Sequence, residues 1–114
     1  MNPLSYAGMP LSSPAVLAPM SGVSTLPFRL LCKELGAGLT FTEFASAIAI
    51  ARNLEHRSLD GNPRNNPVFD RVITVPGEHP VGVQLFAPEE KDLITAIEFV
   101  EGEFDLVDLN FGCP

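Results

Sequence analysis

The sequence predicts an α/β fold built on a parallel sheet, with βαβαβαβ as the order of its elements. Short apolar runs alternate with segments of helical periodicity along the 114 residues, and glycines or prolines stand between them. Strands that alternate with helices pair in parallel through right-handed crossovers. Two architectures meet this description, an open doubly wound sheet and a closed eightfold barrel. Four strands would be half of a barrel, which takes about 250 residues.

The first third of the chain predicts one strand and one helix after an extended lead-in over residues 1–14, which hold three prolines. A short buried strand is predicted at 15–18. The helix begins where Ser24 or Thr25 can cap it, and it ends at Gly36. Its apolar face consists of residues at three- and four-residue spacing: Phe28, Leu31, Cys32 and Leu35.

The middle of the chain predicts a second strand and helix, followed by a long irregular stretch. The apolar run 39–44 is predicted to be a strand, and the small, helix-favouring residues 45–52 a helix. Proline-containing turn signals punctuate residues 53–80, where only 72–75 has the composition of a further strand. Irregular stretches of this length are commonly functional lids or surface insertions.

The last third predicts two strands with a helix between them. The third strand covers 81–85, and Pro88 opens a helix that carries acidic residues in its first turn, where the helix dipole favours them. The fourth strand covers 106–110. The buried face of the helix consists of Leu93, Ile97 and Val100.

Composition and motifs exclude several classes of protein. Fourteen acidic against seven basic side chains give a formal net charge of −7, so any RNA contact has to be local or supplied elsewhere. No run approaches the roughly 20 apolar residues of a membrane span, and the N-terminus lacks the basic start of a signal peptide. We therefore expect a cytoplasmic protein without membrane contact. Nothing resembles a P-loop, GxGxxG or HExxH motif, which argues against a nucleoside triphosphatase, a Rossmann dehydrogenase and a zinc protease.

Polar residues near the ends of the third and fourth strands are the first candidates for a site. Reactive groups of parallel α/β folds lie at the carboxyl ends of the strands. Period-two alternation turns Val81, Val83 and Leu85 of the third strand towards the helices. It puts Gln84 and Asn110 on the opposite face of the sheet, where they should converge. Two amides at one mouth suit a flat heterocycle such as flavin, although they could also simply tie loops together. Asp108, on the same face, is either a base or a structurally paired carboxylate.

The ends of the first and fourth strands add further candidates. Pro19, Met20, Ser21 and Gly22 combine rigid, flexible and small residues, which lets main-chain groups approach a planar ligand closely. Cys113 lies between a glycine and a proline, so its thiol should sit on a constrained turn beside the fourth strand. A thiol there can be a proton donor, a nucleophile or an inert buried side chain.

The two cysteines are judged as single thiols. They are too few for a disulfide framework or a four-cysteine metal site, and no metal is expected. Cys32 lies on the apolar face of the first helix and is predicted to belong to the core.

Four segments, in this order and spacing, resemble the N-terminal half of the tRNA-dihydrouridine synthases. The resemblance covers about residues 15–114 and ends in an Asn-x-Gly-Cys-Pro signature. The segments that carry it are Leu17 to Val23 with Pro27-Phe28-Arg29, then Thr42-Glu43-Phe44, then Pro80 to Phe86, and Asp108 to Pro114.

The resemblance implies an FMN-binding TIM (β/α)8 barrel, of which this chain is the first half, cut after the fourth strand. It implies reduction of uridine in tRNA to 5,6-dihydrouridine, with NADPH as the source of electrons. By position, Gln84 would hydrogen-bond the flavin ring, Asn110 would line the same pocket, and Cys113 would protonate C5 of uracil. The residues implied to cradle the flavin are Pro19, Met20 and Ser21.

The same resemblance leads us to expect that the polypeptide continues past Pro114. In relatives a lysine, phosphate-binding loops and a helical tRNA-binding domain follow this point. Two other functions stay open. One is an FMN-dependent oxidoreductase of a small pyrimidine-like substrate, which needs no basic surface, and the other is a non-catalytic fragment.

Overall fold

The computed structural model describes residues 4–55 and 67–112 of the chain. Its strands are β1 (Ser5–Tyr6), β2 (Met9–Pro10), β3 (Val16–Leu17), β4 (Leu39–Ser46), β5 (Val81–Phe86) and β6 (Leu106–Leu109). Its helices are α1 (Leu26–Glu34), α2 (Ala47–Glu55) and α3 (Glu90–Val100), with two 3-10 helices at Pro67–Val72 and Pro76–Glu78. None of the helices in the described ranges is long and apolar enough to cross a membrane.

Strands β3 to β6 form one parallel sheet, in which each strand pairs with the next one along the chain. A doubly wound sheet reverses its strand order at a switch point, and the four described strands of this sheet show no reversal. A sequential parallel order with intervening helices is that of an eightfold barrel. The fold is therefore α/β, and the sheet is the first half of a TIM barrel, as predicted.

The helix-facing side of the sheet forms the main core, as predicted from the alternation along β5, which is the third strand of the sequence prediction. Val81, Val83 and Leu85 are completely buried. Val83 and Leu85 pack against α2, α3 and the first 3-10 helix, whose buried members in this core are Ala47, Ile50, Phe69, Val72, Ala96 and Val100. The predicted buried face of the third helix is confirmed, because Leu93 and Ile97 pack at the edge of this core and Val100 lies within it.

The lead-in at 1–14 differs from the expected extended segment, because β1 and β2 pair as an antiparallel hairpin. Its turn places Ala7 and Gly8 at positive φ, 47° and 81°. The ring of Tyr6 meets that of Phe41 edge to face, 6.2 Å between centroids. Strands of two residues are too short to show an alternating pattern. The sequence therefore predicted neither the hairpin nor its contact with the sheet.

Two strand predictions are corrected. The first strand is confined to Val16–Leu17 and lies at an edge of the sheet, where Val16 is 42% exposed instead of buried. The candidate strand at 72–75 does not form. Hydrogen bonds that involve side chains hold this segment instead. The Arg29 guanidinium donates to the Ile73 carbonyl (2.7 Å), and the Thr74 hydroxyl donates to Glu78 (2.8 Å).

Helix α1 begins and ends as predicted but turns a different face inward. Thr25 is its N-cap residue, and Gly36 follows it with a φ of 101°. The expected apolar face is largely solvent-exposed: Leu31 is 49% and Leu35 80% exposed, and Cys32, predicted in the core, is only partly buried. The buried residue of this helix is Arg29.

Gly82 lies where the sheet has no room for a side chain, because neighbouring side chains already fill the space next to its Cα. A Cβ atom built there lies 2.6 Å from Cδ1 of Phe41 and 2.8 Å from Cδ1 of Leu106. Phe41 is 96% buried, so its ring cannot move aside freely. We expect Gly82→Ala to lower the free energy of unfolding by about 1–3 kcal/mol through overpacking. Denaturant unfolding checks this against Gly77→Ala, where a Cβ meets nothing within 4 Å; equal effects of the two changes would contradict it.

Candidate active site

A β-bulge in β4 shapes the carboxyl end of the sheet. Phe41 pairs with Gly82 and Phe44 with Gln84, so two residues of β4 oppose one of β5. The Thr42 hydroxyl bridges this irregularity, since it accepts the Gln84 N–H (3.1 Å) and donates to the Glu43 carbonyl (2.8 Å). Bulges near strand ends re-aim side chains. Here the bulge places Phe44 beside Gln84 and leaves Glu43 free to reach the neighbouring turn.

Three polar side chains form a hydrogen-bonded chain at the ends of β5 and β6. The Gln84 Nε2 donates to Asp108 (2.6 Å), and the Asn110 Nδ2 donates to the Gln84 Oε1 (3.3 Å). The Asn110 Oδ1 accepts the Gly112 N–H (2.9 Å), which closes a turn directly after β6. The predicted convergence of Gln84 and Asn110 is confirmed, and Asp108 is paired with an amide.

These contacts fix the direction of the Gln84 carboxamide. Its oxygen faces Asn110 and its nitrogen faces Asp108. A carboxamide has two N–H donors and two acceptor lone pairs. Within the described part of the chain, one donor and one acceptor site of Gln84 are therefore left for a ligand.

The turn after β3 is closed on itself by Ser24. The fully buried Ser24 hydroxyl accepts the Met20 N–H (2.9 Å) and donates to the Met20 carbonyl (3.0 Å), which also accepts the N–H groups of Val23 and Ser24. The main chain of Met20 is thus committed within the turn, while its side chain is 39% exposed. In residues 4–55 and 67–112 no hydrogen bond engages Ser21, so Ser21 is the polar member of the predicted cradle that is available to a ligand.

Glu43 joins this turn to β4. Its Oε1 accepts the N–H of Gly22 (2.5 Å), a residue with a φ of 74°. The Nη2 of Arg71 lies 4.0 Å from the same oxygen, and the Nη1 of Arg71 donates to the Phe44 carbonyl (3.0 Å). The guanidinium also lies over the Phe44 ring, 5.7 Å from its centroid. One carboxylate therefore links the ends of β3 and β4 to the 3-10 helix that carries Arg71.

The predicted site residues are brought together only in part. Gln84 and Asn110 touch, whereas Pro19, Met20 and Ser21 belong to a turn that is joined to the neighbouring strand through Glu43. Cys113 lies outside the described residues. Within those residues, no three His, Cys, Asp or Glu side chains are grouped as a metal site requires.

Sequence reasoning assigned no role to Glu43, Thr42 or Arg71. One signal was available, because a carboxylate in an otherwise apolar strand needs a partner. Glu43 is such a carboxylate, within the predicted strand 39–44. Its partner lies 21 residues away, at Gly22, and pattern alone does not reveal that distance in space.

The fold and the site together define a parallel α/β-barrel protein with polar groups gathered at the carboxyl ends of its strands. The chain belongs to the dihydrouridine synthase (Dus) family, whose model matches residues 16–114.

Named relatives agree with this family. The chain is 33% identical over 100 residues to a probable tRNA-dihydrouridine synthase of Aquifex aeolicus, covering 86% of this chain and 28% of the relative. It is 34% identical over 104 residues to tRNA-dihydrouridine synthase B of Xanthomonas campestris pv. campestris (87% and 27%). It is 32% identical over 99 residues to the tRNA-dihydrouridine(16/17) synthase of Saccharomyces cerevisiae (87% and 22%), whose name includes NAD(P)(+). The chain thus spans about a quarter of the length of these relatives.

Proposed function

We propose that this protein reduces uridine in tRNA to 5,6-dihydrouridine, with FMN as its cofactor and NADPH as its source of electrons. The observation that carries the proposal is the hydrogen-bonded pair Gln84 and Asn110 at the strand ends of a chain of this family. The names of its relatives support tRNA as the substrate.

The donor set of the described residues fits the ring of FMN. The edge of an isoalloxazine ring alternates donors and acceptors, and Gln84 retains one of each in a fixed orientation. The exposed thioether side chain of Met20 suits the apolar face of a planar ring. Ser21, in the turn that follows β3, adds a hydroxyl and an N–H. We propose that Pro19, Met20, Ser21, Gln84 and Asn110 hold the cofactor.

The proposed reaction adds a hydride and a proton across the C5–C6 double bond of uracil. Bound FMN supplies the hydride chemistry at C6. Charge that develops next to C5 needs an acid, and we propose that the Cys113 thiol donates this proton and regains it from solvent. Asn110 contributes by holding the Gly112 N–H, which sets the main chain that leads into Cys113.

The test is reduction of unmodified tRNA by the protein as its native source makes it, supplied with FMN and NADPH. We expect a mass gain of two hydrogens on a uridine, and an apparent affinity for tRNA that falls steeply as salt is raised, because phosphate contacts release counterions. A protein that binds FMN but leaves tRNA unchanged across all salt concentrations would contradict the proposal.

A second candidate is an FMN-dependent oxidoreductase of a small pyrimidine-like substrate. The observation that favours it is the net charge of −7, which repels RNA. The same assay separates the two functions, since this enzyme would reduce free uracil or uridine with little dependence on salt and would leave tRNA unmodified.

A further inference from the structure

We propose that Glu43 is a positioning residue that sets the main chain of the Pro19–Gly22 turn for binding of FMN. This inference rests on the proposed function, because it takes that turn as part of the flavin site. It adds a residue for which the strand-end argument provided no role.

The geometry around Gly22 carries the first step. The Glu43 carboxylate, only 12% exposed, accepts the Gly22 N–H at 2.5 Å. Gly22 has a positive φ of 74°, a conformation that costs little only for glycine. The Ser21–Gly22 peptide plane at the centre of such a turn can flip, and the carboxylate selects the orientation in which the Gly22 N–H faces Glu43.

The second step is that the other end of the turn is already anchored. Ser24, fully buried, binds both the N–H and the carbonyl of Met20 through its hydroxyl. Ser21 therefore lies between two fixed points, Met20 and Gly22. Without the carboxylate, the hydrogen bonds from Val23 and Ser24 to the Met20 carbonyl still close the turn, but the central Ser21–Gly22 peptide, which carries the Ser21 carbonyl, is no longer held in one orientation.

The third step concerns charge. A carboxylate near a bound electron-rich ring and the phosphates of RNA would be unfavourable if its charge were uncompensated. Arg71 lies 4.0 Å from Glu43 and is itself held by the Phe44 carbonyl and ring. Its position balances the charge of Glu43 and leaves the hydrogen bond to Gly22 intact.

The experiment measures the dissociation constant and the stoichiometry of FMN by fluorescence quenching, in the protein as its native source makes it. Glu43→Ala removes the acceptor, and we expect FMN to bind about 10- to 100-fold more weakly at unchanged stoichiometry. Glu43→Gln keeps an acceptor oxygen and should restore affinity to within about threefold of wild type. Glu98→Ala, which removes an exposed carboxylate from α3, should leave the dissociation constant unchanged.

The outcomes distinguish a positioning role of Glu43 from a merely structural one. A merely structural role would lower the fraction of protein that binds FMN while the dissociation constant of the remainder stayed the same. Any of three results would overturn the inference and leave the proposed function standing. These are a lower binding fraction at an unchanged dissociation constant, an unchanged affinity in Glu43→Ala, and a Glu43→Gln variant that binds FMN as weakly as Glu43→Ala. A wild-type protein that binds no FMN would overturn the proposed function, and this inference with it.

Discussion

Glu78→Gln is expected to lower the free energy of unfolding by about 3–5 kcal/mol, because it leaves the guanidinium of Arg29 buried without a counter-charge. Arg29 is 1% exposed and Glu78 is completely buried. The Arg29 Nε and Nη2 both donate to the Glu78 carboxylate. The variant retains the shape of the side chain, so the loss reports the charge and its hydrogen bonds.

The surrounding hydrogen bonds explain why neither charge can relax toward water. Arg29 also donates to the main-chain carbonyls of Ser24 (2.9 Å) and Ile73 (2.7 Å). The hydroxyls of Thr40 (3.3 Å) and Thr74 (2.8 Å) donate to Glu78. This network joins α1 and β4 to the segment that precedes β5, so its loss should affect global unfolding and not a single loop.

Denaturant unfolding followed by circular dichroism measures the effect. The matched control is Glu89→Gln, which breaks an ion pair to Lys91 in which both side chains are more than half exposed. Exposed pairs are weak because solvent and salt screen them, so we expect little change in the control. Similar unfolding midpoints for the two variants would show that the buried pair carries no special share of the stability.

Cys113→Ala is expected to lower kcat for uridine reduction by about 10²- to 10⁴-fold, the usual contribution of a positioned general acid. FMN affinity and the rate at which NADPH reduces the bound flavin should be unchanged, since the proposed thiol acts only on uracil. Single-turnover kinetics separate these two half-reactions.

The chain supplies a control with the same chemistry. Cys32, partly buried in α1, takes no part in the hydrogen bonds of Gln84 and Asn110. Cys32→Ala should therefore leave kcat within about twofold of wild type. Equal losses in the two variants, or an unaffected Cys113→Ala, would remove Cys113 from the mechanism.

Period-two alternation was sufficient for the parts of the structure that depend on local pattern. It identified Val81, Val83 and Leu85 as the helix-facing side of β5 and placed Gln84 and Asn110 on the opposite face, where they meet. It was not sufficient for β4. There the prediction ended the strand at Phe44, whereas the strand continues through a bulge to Ser46.

The buried face of α1 is a second feature that residue spacing alone did not predict. Apolar residues at helical spacing share a face, but the pattern does not say which neighbour covers it. Leu31 and Leu35 are exposed, and the helix instead buries Arg29. A charged residue is buried only where a partner compensates it, and that partner, Glu78, lies 49 residues away in sequence.

The sequence by itself determined the alternation of strands and helices, the parallel sheet, the faces on which the residues of β5 and β6 lie and the polar character of the strand ends. These follow from local periodicity and from side-chain chemistry, which act over a few residues. Only the tertiary structure decided the bulge at Thr42 and Glu43, the link from Glu43 to Gly22 and the burial of Arg29 with Glu78. Each of these depends on polar groups far apart in the chain that satisfy one another once water is excluded.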